Sequence, residues 1–173
     1  METHFHRLTS PTTDVIIKTQ PFAEIIYWGP HLAHFSPRDC ASLIRPVANG
    51  RLDTDSPVTL MAEQGHGLFG APGLEGHRNG LDASPLFTTR DVTQDGQTLT
   101  LVSEDATAGL RLVSVLARSD SGVLKVRHGL TNLRAGAGRW IASPSRCRWR
   151  SARSRSWRFM AAGRANSSRT ASR

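Results

Sequence analysis

The stretch Asp95-Gly96-Gln97-Thr98-Leu99-Thr100-Leu101-Val102-Ser103 decides the fold. Leu99 and Leu101 fall on one side of an extended chain, and Thr98 and Thr100 on the other. That period of two belongs to a strand with one face buried. Asp95-Gly96 ahead of it predicts a hairpin turn, because glycine takes positive φ without a Cβ clash. Downstream, Gly109–Ala117 and Val123–Leu130 read as further strands. In the second, Leu124, Val126 and Leu130 face one way, Lys125 and Arg127 the other, and Ser121-Gly122 marks the turn before it. Upstream lie Leu86–Val92, Pro57–Ala62, Phe22–Trp28 closed by Gly29-Pro30, and Asp14–Thr19 with its β-branched run Val15-Ile16-Ile17. Only Arg38–Arg45 suggests a helical turn. Short strands, frequent turns and no long 3.6-residue period predict an all-β, antiparallel sandwich.

Composition divides the chain in two. It has 173 residues, with 22 Lys+Arg against 14 Asp+Glu and a formal net charge of +8. Arg134–Arg173 carries 11 arginines, no lysine and no acid, which leaves 11 basic and 14 acidic side chains, a net of −3, on residues 1–133. The length allows one full domain of roughly 100–200 residues. No apolar run approaches the roughly 18 residues that a membrane helix needs. Residues 1–13 are polar, lack the apolar core of a secretory signal, and are expected to be disordered. Cys40 and Cys147 fall on opposite sides of the composition break, and neither has a metal-ligand partner at close spacing. Cys40 is expected to be a packed thiol in a reducing, cytoplasmic setting.

Several motifs invite chemistry and fall short of it. Gly65-His66-Gly67-Leu68-Phe69-Gly70 matches the dinucleotide fingerprint by letter. The fingerprint needs a strand feeding a helix whose N-terminus holds the pyrophosphate, and Ala71-Pro72-Gly73 follows instead. His31 and His34 lack a third ligand to complete a metal set. Asp53/Asp55 and Glu104/Asp105 sit in turn-like contexts, where carboxylates cap or bend the chain. No strand-to-helix elbow presents a nucleophilic serine. We therefore expect no catalytic residue, no metal and no cofactor in this chain. The glycine-rich stretch Glu63–Gly80, with His66, Leu68, Phe69 and Leu74 embedded, is too long for a hairpin turn and is expected to be an ordered surface loop that reaches a ligand or a neighbouring subunit.

Phe22-Ala23-Glu24-Ile25-Ile26-Tyr27-Trp28-Gly29, the Asp53 to Pro57 region, the glycine loop and the Asp95-Gly96 hairpin occur together in an order that resembles the N-terminal domain of bacterial glycoside hydrolase family 36 α-galactosidases. The resemblance spans Asp14 to Leu133. It implies a β-supersandwich of the galactose-mutarotase-like kind, preceding a (β/α)₈ barrel. The barrel of that family carries the two carboxylates of retaining α-galactoside hydrolysis, which stand about 5–5.5 Å apart. A barrel takes roughly 250 residues, more than this chain offers after the sandwich. The resemblance also implies a homo-oligomeric parent enzyme, in which a Gly-Asp-Phe-Arg-x-Pro-like loop reaches a neighbour's site. Here Gly67–Pro72 answers that loop. Phe69 and Pro72 are the candidate substrate-binding residues, and Leu68 and Gly70 stand at the Asp and Arg positions.

The tail, residues 134–173, mixes Trp140, Trp149 and Trp157 with arginine, a composition that also suits RNA or another polyanion. Lysine is absent, no periodicity appears, and the change is abrupt. Reading the last base of each codon as the first of the next, Trp140-Ile141 forces an Asp codon and Met160-Ala161 forces Gly. With permitted third bases, the segment from Ala137 encodes Trp-Gln-Val-Asp-Arg-Phe-Ala-Val, which alternates like a strand and restores an acid. The expectation is a sandwich over 14–133 followed by a disordered, out-of-frame tail. A stand-alone carbohydrate-binding sandwich and a polyanion-binding protein are the alternatives.

Overall fold

The computed structural model describes residues 4–44, 56–68, 70–135 and 138–142. The described strands are all antiparallel and form three sheets. The first has the order β1 (Phe5–Thr9), β2 (Thr13–Lys18), β3 (Glu24–Pro30). The second pairs β4 (Leu74–His77) with β9 (Arg139–Ala142). The third runs β5 (Thr88–Asp95), β6 (Thr98–Asp105), β7 (Leu110–Arg118), β8 (Leu124–Asn132). The all-β sandwich read from the sequence is the fold observed.

The alternation that predicted β6 fixes its packing. Leu99 and Leu101 are fully buried and join Leu116 and Leu124 of the same sheet against Leu8, Val15, Ile17 and Ile25 of the first sheet. Two sheets thus share one core. A second cluster, built on Met61, Leu74, Phe87, Leu110 and Leu112, continues that face towards β4 and β9. The β5–β6 turn falls at Gly96, whose φ of 52° is the left-handed region that glycine reaches without strain.

Three differences from the sequence reading have physical causes. Residues 1–13, expected to be disordered, supply β1, because Leu8 is fully buried in the shared core. The free edge of β1 is closed by side chains far along the chain: Gln94 Nε2 donates to the Arg7 carbonyl (3.1 Å), and the Thr9 amide donates to Gln97 Oε1 (2.9 Å). Such capping blunts an edge that would otherwise invite pairing. Second, Pro57–Ala62 makes one isolated bridge, Glu24 to Thr59, instead of a strand. Its Thr59 amide turns back onto the Pro57 carbonyl, and its hydroxyl donates to the Met61 carbonyl. Third, the start of the basic segment is ordered. Arg139–Ala142 pairs with Leu74–His77, and the half-buried Trp140 packs on the second cluster. Gly76 permits this, since a Cβ there would strike the Arg139 carbonyl and the Trp140 ring. Residues 143–173 lie outside the described residues.

Candidate functional site

The glycine-rich stretch is more structured than a loop. Its residues form a 3-10 turn, Gln64–His66, capped by Gly67 in the left-handed conformation (φ 85°), and then β4. No strand runs into a helix there, so the dinucleotide arrangement does not form. Among the two candidate residues, Phe69 lies outside the described residues, and Pro72 is buried. Pro72 faces a crevice of about 10 Å³ with Glu63, Leu74 and Pro85, room for one water at most. His66 anchors the turn. Its ring lies 3.9 Å from the Phe22 ring, and its Nε2 lies 3.3 Å from Glu63 Oε2. Glu63, itself buried, also accepts from the Phe87 amide at 3.1 Å. The stretch is therefore tied to the turn that leads into β3 and to the segment just before β5.

A second polar centre went unread in the sequence. Asp14 stands within the apolar run of β2 and is 0% exposed. Its Oδ2 accepts from Arg7 Nη2 (2.5 Å) and from the Leu32 amide (2.7 Å); its Oδ1 accepts from Thr9 Oγ1 (2.5 Å) and lies 3.3 Å from His31 Nδ1. Burial pushes its pKa up, but the bonds from Arg7, Thr9 and the Leu32 amide, with the Arg7 charge, outweigh it and hold the group at about 2. A carboxylate held ionised and saturated with donors is a structural acceptor; a general acid needs the opposite shift. The sequence signal was a charge inside a β-branched strand. His31 is thereby assigned to Asp14, and His34 is not brought to it by any bond.

The other polar sets are likewise occupied. Glu104 and Asp105 are consecutive on β6 and point to opposite faces. Glu104 pairs with Arg111 (2.8 Å) and Arg90 (3.6 Å), while Asp105 accepts from the amides of Leu86, Thr107 and Ala108. They cannot flank one scissile bond. Asp53 and Asp55 lie outside the described residues. Ser114 Oγ lies 2.9 Å from His128 Nδ1 across the β7–β8 pair. Ser114 is buried, and among the described residues no carboxylate is bonded to the imidazole and no helix N-terminus faces the pair, so these residues lack what acyl transfer requires. Among the described residues no group of three or more His, Cys, Asp or Glu is placed to hold a metal ion.

What this geometry supplies is a well-tied sandwich in which Asp14, Glu104 and Asp105 are engaged by its own side chains and backbone amides. The sequence pattern described as Glycosyl hydrolase family 36 N-terminal domain matches residues 22–139. The chain belongs to this family. The family 36 N-terminal domain here is 66% identical over 136 residues to an Escherichia coli protein named Alpha-galactosidase, an alignment covering 79% of this chain and 19% of that protein. The chain thus spans about a fifth of the length of the relative it matches. No solved structure matches it. Among the described residues no helix is long and apolar enough to cross a membrane.

Proposed function

We propose that this chain is the N-terminal sandwich of an α-galactosidase, an enzyme that removes terminal α-linked galactose with retention, and that the hydrolytic carboxylates belong to the part of the enzyme beyond these residues. The 66% identity to the E. coli protein carries the reading. The occupied state of Asp14, Glu104 and Asp105 supports the second half of it. Retaining hydrolysis needs two free carboxyl groups about 5–5.5 Å apart and no cofactor. The 173-residue chain, purified, is expected to release no nitrophenol from an aryl α-galactoside. The same sandwich fused to the remainder of the E. coli relative is expected to release it. Release by the chain alone, in proportion to its concentration, overturns this assignment of roles.

In the assembled enzyme, a cytoplasmic homo-oligomer on this reading, the turn carrying Phe69 and Pro72 contributes to a galactoside subsite of a neighbouring subunit. Phe69 and Pro72 are the residues proposed for that contact, and Pro72 is buried beside Glu63, Leu74 and Pro85.

We propose further that the reading frame shifts near Ala135–Ala137. The family match stops at residue 139, and the charge changes there from a net −3 to a run of arginines. β9 is compatible with either frame. Strand pairing uses the backbone, and both frames place a tryptophan on the same face, at 140 here and at 138 in the alternative. The nucleotide sequence tests this: one inserted or deleted base is expected to restore a long barrel-encoding frame, and failure to find one removes the idea.

A further inference from the structure

The first sheet has two faces, and only one meets the core. Leu8, Val15 and Ile17 point inward, while Phe5, Arg7, Asp14 and Ile16 lie on the other face, as the pairing Arg7 to Ile16 requires. The segment after β3 folds back over that outer face. Arg7 Nη2 donates to the Leu32 carbonyl (2.7 Å), Nη1 to the Phe35 carbonyl (3.3 Å), and the Leu32 amide donates to Asp14. The 3-10 helix Pro37–Leu43 follows, started by Ser36, whose amide and hydroxyl both donate to Asp39 (2.8 and 2.7 Å). Its Cys40 is 5% exposed.

Between sheet and helix remains a half-open cavity of about 130 Å³, lined by Phe5, His6, Arg7, Ile16, Phe35, Ser36 and Cys40. An apolar cavity of about 150 Å³ takes up a single benzene ring, so the size suits one six-membered ring. Two phenyl groups, an isoleucine and a thiol form its apolar wall. Burial pushes the Cys40 thiol up, so it stays uncharged. Of the polar groups in the lining, His6 Nδ1 is bonded to Gln94 Oε1 (2.8 Å) and the Ser36 hydroxyl to Asp39, while the buried Nε–H of Arg7 has no acceptor among the described residues. The Arg7 charge is already balanced by Asp14 at 2.5 Å, so a carboxylate entering here would add a second negative charge beside a buried one. A neutral oxygen satisfies the free N–H without that cost.

We propose that this cavity binds an uncharged single-ring molecule bearing one oxygen acceptor, its ring among Phe5, Phe35 and Ile16 and its oxygen on Arg7 Nε. The site does not depend on the hydrolase reading. Phenol is the probe, titrated against the full chain by shifts in the protein's NMR spectrum and by the thermal midpoint. Binding is expected with Kd of about 1 mM, in keeping with seven heavy atoms. Toluene, which lacks the acceptor, should bind at least about 5-fold more weakly, as befits a donor left unmet. Benzoate and galactose should not compete. Cys40→Met fills the cavity and is expected to abolish phenol binding, whereas Cys40→Ala enlarges it and should retain binding. Equal phenol binding by wild type and Cys40→Met overturns the site, as does toluene matching phenol or the absence of any phenol response at about 20 mM, well above the Kd expected from ligand size.

Discussion

Asp14→Ala is expected to destabilise the sandwich by about 3 kcal/mol, a large share of the roughly 5–15 kcal/mol that such domains possess. The carboxylate is fully buried and satisfies four donors: Arg7, Thr9, the Leu32 amide and His31. Removing it leaves the Arg7 guanidinium, 30% exposed, without its counter-charge, and cuts the segment after β3 from the sheet. Partial exposure of Arg7 places the expected loss at the lower end for broken buried pairs. Asp14→Asn keeps an acceptor and should lose less, about 1–2 kcal/mol. The pH dependence separates charge from packing. The group sits at about 2 in the fold against an ordinary 3.8, so its contribution is fully present above pH 4 and is lost as pH falls through about 2. That difference is worth about 2 kcal/mol by linkage. Urea midpoints at pH 6, 4 and 2 for wild type and Asp14→Asn should therefore converge as pH falls. Curves that stay parallel to pH 2 would show that the carboxylate's charge contributes nothing.

Leu116→Ala should cost about 3–4 kcal/mol, the usual loss for a buried leucine whose cavity cannot collapse. Leu116 is fully buried in β7, opposite Leu99 of β6 and Val126 of β8, and it belongs to one core cluster with the first sheet's Leu8, Val15 and Ile17. The two paired strands hold the backbone in place, which limits relaxation into the vacated space. Its neighbour Val115 points to the other face and is half-buried, so Val115→Ala should cost less than about 1 kcal/mol. Denaturant unfolding of the two variants reads the alternation directly. Equal losses would mean that β7 does not present its odd and even positions to different surroundings.

Local patterns carried much of the fold. β5 to β8 form hairpins joined by short turns, and each pairs with its neighbour in sequence. Period-two patterning and turn glycines suffice to read such pairs. β2 and β3 were legible for the same reason, displaced by one or two residues from the expected limits. β1, β4 and β9 were not. β1 buries one leucine and relies on Gln94 and Gln97, 87 and 88 residues away, to close its edge. β4 begins within a run of glycines, and its partner lies beyond β8. Pro57–Ala62 failed the other way. Its apolar residues suited a strand, yet they serve as filling between two clusters: Val58 packs on one and Met61 belongs to the other.

The sites divide along the same line. Glu104 and Asp105 were expected in a turn, yet both close strand β6: Asp105 does bond the Thr107 and Ala108 amides of the turn that follows, while Glu104 pairs across the sheet with Arg111. That Asp14 is a hub could not be argued from the sequence, because its donors come from β1 and from the segment after β3. By itself the sequence determined the all-β class, the order of the hairpins, the family resemblance and the division of charge at residue 134, since each rests on neighbours within a strand or turn. Tertiary structure alone decided which buried charge is paired, which glycine admits a tryptophan, and where a ring-sized cavity remains under the 3-10 helix. Those outcomes depend on residues far apart in the chain meeting across two sheets, and no local period records which of them will meet.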